Sequence, residues 1–138
     1  MHTIKACVVI CIDFRFQSHI QNFLAKEGLL DNVDIISIAG AAHDFSTPLN
    51  QESHEYVMGQ VGASISLHHP DKVIFIDHQD CGMYNLTGKI PQGLAFETDI
   101  EKHRQYLELA KKRIQDTYHQ IDVELVFMGL DGSYTKIS

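Results

Sequence analysis

Basic residues are scarce in this chain: 11 Lys and Arg stand against 18 Asp and Glu in 138 residues, a formal net charge of −7. Apart from Lys111 to Arg113 the cations are scattered, so neither nucleic acid nor an anionic membrane surface is expected as a partner. No apolar run approaches the roughly 20 residues of a bilayer span, and no basic-plus-apolar leader pattern is present. A soluble, cytoplasmic protein is expected. Cysteine is scarce as well, and the three present, an odd number, do not make a disulfide framework. They fit a reducing compartment, and their value is chemical. The chain also lacks G-x-G-x-x-G, a P-loop and C-x-x-C, which argues against a nucleotide or redox domain. The loop after Cys81 has no Arg to cradle a phosphate, so cysteine phosphatase chemistry fails too.

What is present suits a single globular domain over residues 1–138, with 44% hydrophobic and 21% charged residues. Strand-like and helix-like stretches alternate. Ile4 to Ile12, Val33 to Ile38, Val73 to Ile76 and Val123 to Met128 are apolar, β-branched runs that read as buried strands. Between them, Phe14 to Glu27, about Asn50 to His68, and Thr98 to Tyr118 read as helices. Gly59, Gly62 and Ala63 would allow the second of these helices to pack closely. Gly82 to Gly93 reads as a loop covering the strand ends. The Asp131-Gly132 turn predicts a short antiparallel edge strand over Tyr134 to Ile137. Strands joined through helices must be mainly parallel, with right-handed crossovers. The expected fold is therefore an α/β domain, its mainly parallel central sheet in the order 2-1-3-4 and covered by helices on both faces.

In such sheets a ligand site lies beyond the carboxyl ends of the strands, where the winding reverses. The first strand ends in Cys11-Ile12-Asp13-Phe14-Arg15 and the third in His78-Gln79-Asp80-Cys81-Gly82. Two distant segments thus deliver polar groups to one crevice. Cys11, His78 and Cys81 are candidate ligands of one ion, and two thiolates with an imidazole are a donor set that zinc prefers. Asp13 is the candidate for the fourth position. Arg15 can instead hold the Asp13 carboxylate in a bidentate pair, away from the metal. Cys7, in mid-strand, reads as a small core hydrophobe.

These two motifs resemble the zinc motifs of the β-carbonic anhydrases, and the resemblance runs in order over most of the chain. Ala39-Gly40 falls where that family has an Ala-Gly turn, and Gly129 to Tyr134 resembles its last strand and hairpin. The resemblance implies that Cys11, His78 and Cys81 bind Zn2+, that Asp13 and Arg15 form the dyad governing the fourth position, and that the protein works as a homodimer or higher homo-oligomer. Departures are visible. The chain begins almost at its first strand, without the N-terminal arm of larger members, so a differently built dimer is expected. Phe14 stands where a small residue is more usual, Asp77 where Gly or His is, and the Ala-Gly turn lacks its flanking Arg and Asn.

The implied activity is the reversible hydration of carbon dioxide to bicarbonate by a zinc-bound hydroxide, which zinc makes available near neutral pH. Two thiolates offset the metal's charge, so activity is expected to favour alkaline pH. Two alternatives share the frame. One is a zinc hydrolase of carbonyl sulfide or carbon disulfide; the other is a non-catalytic zinc protein whose site Asp13 closes. Phe14, Phe45 and Met83 are candidate walls of an apolar pocket for a small-molecule substrate, and Tyr84 is another. His43 and His54 are candidate proton shuttles. His2, His68, His69, His103 and His119 read as solvated surface groups.

Overall fold

In the computed structural model, which describes residues 3–137, the four apolar runs form one sheet with a short fifth strand. The strands are β1 (Ala6–Cys11), β2 (Val33–Ile38), β3 (Lys72–His78), β4 (Asp122–Met128) and β5 (Tyr134–Ile137), in the order β2-β1-β3-β4-β5. The first four run parallel and β5 is antiparallel to β4. Order, direction and the edge hairpin agree with the sequence expectation. His2 lies outside the described residues.

Alternation along the central strands sends side chains to two separate cores. Cys7, Val9, Val73, Phe75, Leu125 and Phe127 point to one, where α3 (Gln51–His68) contributes Val57 and Val61, and α5 (Phe96–Thr117) contributes Leu107, Ala110 and Ile114. Val8, Ile74, Ile76 and Met128 point to the other, under α1 (Gln17–Lys26). There Ile20, Phe23 and Leu24 are buried, each stabilising by about 1.5–3 kcal/mol. Cys7 is fully buried in the first core, and that burial pushes its thiol pKa up to about 11.

Local chemistry explains where the elements begin. Asn50 caps α3, accepting the Ser53 N–H at 2.8 Å in a capping box. After β1 the chain does not enter a long helix at once. The Asp13 side chain accepts the Arg15 N–H at 2.9 Å, so Phe14–Phe16 forms a 3-10 turn before α1. Three further boundaries differ from the sequence reading. A short helix α2 (His43–Ser46) follows the Ala39-Gly40 turn, α4 (Gly82–Leu86) occupies the start of the expected loop, and α5 begins two residues early. Gly62 packs as expected: a Cβ there would meet the Tyr118 hydroxyl at 2.5 Å, whereas one on Gly59 would meet nothing within 4 Å. Among the described residues no helix is long and apolar enough to cross a membrane.

Candidate metal centre

The register of β1 against β3 pairs Ala6 with Lys72 and ends at Val9 with Phe75. Cys11 and His78 lie past that last pair, at the carboxyl ends of two neighbouring strands where the sheet winds in opposite directions. Cys81 is the N-cap residue of α4. The chain therefore returns a thiol to the same crevice on a tight turn. The donor atoms of Cys11, His78 and Cys81 all lie within 4.8 Å of one another, close enough for one metal ion.

The polar contacts around these atoms suit a cation. His78 Nδ1 is 2.7 Å from the Gln79 carbonyl oxygen, an acceptor that fixes the Nδ1–H tautomer and leaves Nε2 with its lone pair. His78 Nε2 is buried without a hydrogen-bond partner. An orphaned imidazole nitrogen between two thiols is the arrangement expected of a ligand. The hydrogen bond with Cys81 lowers the Cys11 pKa to about 4, and the Gly40 N–H, 3.3 Å from the Cys11 sulfur, helps. Cys81 moves the other way: the Cys11 contact and burial push its thiol well above the ordinary range. One proton is thus easily lost and the second is retained for want of positive charge. Burial lowers the His78 pKa, but the nearby Cys11 raises it more, and the net shift is upward. A divalent ion supplies the charge that this cluster lacks, so the residues present fit zinc.

Asp13 and Arg15 stand at the mouth. Arg15 donates from Nε and Nη2 to the Asp13 carboxylate, the shortest contact being 2.7 Å, and from Nη1 and Nη2 to the Asp80 side chain and carbonyl at 3.0 and 2.9 Å. Hydrogen bonds from Arg15 hold the Asp13 carboxyl below the usual carboxylate range. Asp13 Oδ2 is 3.7 Å from His78 Nε2. The carboxylate thus sits beside the donor cluster with Arg15 as its partner. A cleft of about 610 Å³ opens here, lined by Ile12, Phe14, Arg15, Met83, Leu86 and Gln92 among others. Phe14 is 79% exposed and Leu86 81%.

Other residues singled out in the sequence fare differently. Met83 and Phe14 line the cleft, but Phe45 is fully buried and packs edge-on against Phe75 in the core. Tyr84 is also fully buried, and its hydroxyl donates to Asp77 at 2.9 Å. His43 is buried, with Nδ1 2.8 Å from Asp44 and Nε2 2.9 Å from Thr87; His54 Nδ1 is 3.0 Å from the Asp44 carbonyl oxygen. His69 and His119 are exposed. His68 contacts the Asp34 carboxylate at 2.8 Å. His103 overturns the surface reading: it is fully buried, 2.8 Å from Asp77 and 3.2 Å from Asp99. The signal was present in the spacing, since residues 99, 103, 107, 110 and 114 form one stripe of a helix.

Comparison with known proteins gives the same frame. A family model described as "Putative carbonic anhydrase" matches residues 1–138. The chain belongs to this family. Uncharacterized proteins of Rickettsia bellii and Rickettsia conorii are 29% and 28% identical over 134 residues, covering 94% of this chain and 79% and 70% of theirs. Among solved structures, a tetrameric β-carbonic anhydrase of Sordaria macrospora matches with a TM-score of 0.58 at 10% identity, covering all of this chain and 82% of that one. The β-carbonic anhydrase CafA of Aspergillus fumigatus matches with a TM-score of 0.56 at 12% identity, over 99% of this chain and 76% of its own. At such identities the likeness is one of fold, and this carbonic anhydrase relative shares the β-carbonic anhydrase architecture.

Proposed function

We propose that the protein is a zinc-dependent carbonate dehydratase, interconverting carbon dioxide and bicarbonate. The observation that carries this reading is the convergence of Cys11, His78 and Cys81 at the strand switch point, with His78 Nε2 buried and unpartnered. These three residues would hold the ion. Zinc, when bound, would supply Lewis acidity that lets water ionise near neutral pH.

The chain's own residues do the rest. Arg15 keeps Asp13 ionised and turned toward itself, so Asp13 does not close the site. Its Oδ2, beside His78 Nε2, accepts a hydrogen bond from the attacking water and aims that water's lone pair into the cleft. Ile12, Phe14, Met83 and Leu86 give the cleft apolar walls, which admit a small uncharged molecule and disfavour ions. Bicarbonate, as an anion, is released toward solvent past Arg15, which is about a third exposed.

We also propose a homo-oligomer in the cytoplasm. The exposed apolar side chains of Ile12, Phe14 and Leu86 around the mouth suit burial against another copy, and the free thiols suit a reducing compartment. Stopped-flow hydration assays on zinc-loaded protein near pH 7 and near pH 8.5 test the activity, with a higher rate expected at the higher pH. Absence of hydration at both, with carbonyl sulfide or carbon disulfide turned over, would transfer the site to those substrates. No turnover of any of them would leave a zinc-binding protein without this chemistry.

A further inference from the structure

Behind the metal-ligand cluster lies a polar group that the proposed chemistry does not use. Asp77, Asp99 and His103 are each 1% exposed or less. His103 Nδ1 is 2.8 Å from Asp77 Oδ2, and its Nε2 is 3.2 Å from Asp99 Oδ1. The second approach has ion-pair distance without hydrogen-bond alignment, so Asp99 Oδ1 keeps no hydrogen-bond partner. Asp99 Oδ2, in contrast, accepts the backbone N–H of Asp80 at 2.8 Å.

Asp80 is the residue before Cys81, and its backbone is left-handed, with φ of 64°. Asp is one of the few non-glycine residues that adopt that conformation, and it does so where its polar groups find partners. Here every polar atom of Asp80 is engaged. Its N–H goes to Asp99; its carbonyl accepts from Arg15 Nη2 at 2.9 Å and Gln92 Nε2 at 3.2 Å; its carboxylate accepts from the Gly93 N–H at 2.8 Å and Arg15 Nη1 at 3.0 Å. Arg15 turns its remaining donors to Asp13. Arg15 therefore bridges Asp13 on one side and the Asp80 carbonyl and carboxylate on the other.

We infer that Asp99, with His103 as its buried counter-ion, is a positioning residue for the Asp13–Arg15 pair, acting through the Asp80 peptide. Without the Asp99 carboxylate the Asp80 N–H has no acceptor and the left-handed peptide relaxes. Its carbonyl then leaves Arg15, and Arg15 no longer fixes Asp13. The inferred effect on rate rests on the carbonic anhydrase reading; the effect on Arg15 does not.

The test is hydrogen exchange at Arg15 Nε–H in ¹⁵N-labelled, zinc-loaded protein, read by NMR for the parent, Asp99→Ala and Asp99→Asn. Asp99→Ala is expected to speed that exchange about tenfold or more and to lower kcat for hydration roughly 10- to 100-fold while one zinc per chain is retained. Asp99→Asn keeps a neutral acceptor for Asp80 and should show a several-fold, intermediate change in both. Folded Asp99→Ala with unchanged Arg15 exchange would overturn the inference. If that variant does not fold, Asp99→Asn decides, and unchanged exchange there overturns it equally. A parent without hydration activity would refute the proposed function while the exchange data still judge the positioning.

Discussion

His103 offers a quantitative test of how the interior is held together. Burial lowers its pKa, but hydrogen bonding and charge from Asp77 and then Asp99 raise it more, to about 9 against an ordinary 6.5. A histidine shifted that far contributes roughly 3 kcal/mol to stability. The folded pKa is the higher one, so this contribution is fully present below about pH 6.5 and is lost as pH rises through about 9. Replacing His103 by neutral Gln leaves the carboxylates of Asp77 and Asp99, one at each ring nitrogen, without a cation between them. Breaking a buried pair costs about 3–5 kcal/mol, and the low end applies because Asp77 keeps the Ala42 N–H at 3.1 Å and the Tyr84 hydroxyl at 2.9 Å. His103→Gln should therefore lower stability by about 3 kcal/mol near pH 6, or about 10 °C in Tm. Urea unfolding of zinc-loaded parent and variant near pH 6, 7.5 and 10 measures the difference, and titrations common to both cancel. The gap should shrink toward zero at the highest pH. A gap that stays constant from pH 6 to 10 would show that His103 is not held as a cation.

Other substitutions probe separate links. Cys81→Ser should release the zinc and also destabilise the fold, because the ion would tie two strand ends together; atomic absorption and thermal melts read both. Asp13→Asn should retain zinc but lower hydration by roughly 100-fold, since the amide no longer accepts as a carboxylate and Arg15 loses one of its two carboxylate partners. Unchanged turnover would remove Asp13 from the mechanism. Gly62→Ala should cost up to about 2 kcal/mol in urea melts. The added methyl meets the Tyr118 hydroxyl that donates to the Met58 carbonyl, an overlap of about 1–3 kcal/mol that a helix-propensity gain of about 1 kcal/mol offsets in part.

The sheet was legible because burial on both faces writes long apolar runs such as Val73 to Ile76, and because helices between strands leave little choice of direction. Cys11, His78 and Cys81 were legible together: strand order brings Cys11 beside the tight turn that carries the other two. Asp13 and Arg15 followed from the same turn. The polar interior was not legible by residue type. Asp99 and His103 count as surface residues in any hydropathy reading, and only their place on the Leu107–Ala110–Ile114 stripe reveals that they face inward. Phe45 shows the opposite limit. An aromatic residue near the Ala39-Gly40 turn reads as a pocket wall, yet α2 rotates it into the core against Phe75. The helix α4 was hidden for a similar reason, since it opens with Gly82 and runs for barely more than one turn.

The claim on which the rest depends is that Cys11, His78 and Cys81 hold one zinc ion. Zinc content and zinc K-edge absorption on protein purified without chelator test it most directly. One equivalent of zinc is expected, with two sulfur neighbours at about 2.3 Å and nitrogen or oxygen neighbours at about 2.0–2.1 Å. Absence of zinc, or a full equivalent retained in Cys81→Ser, would contradict it.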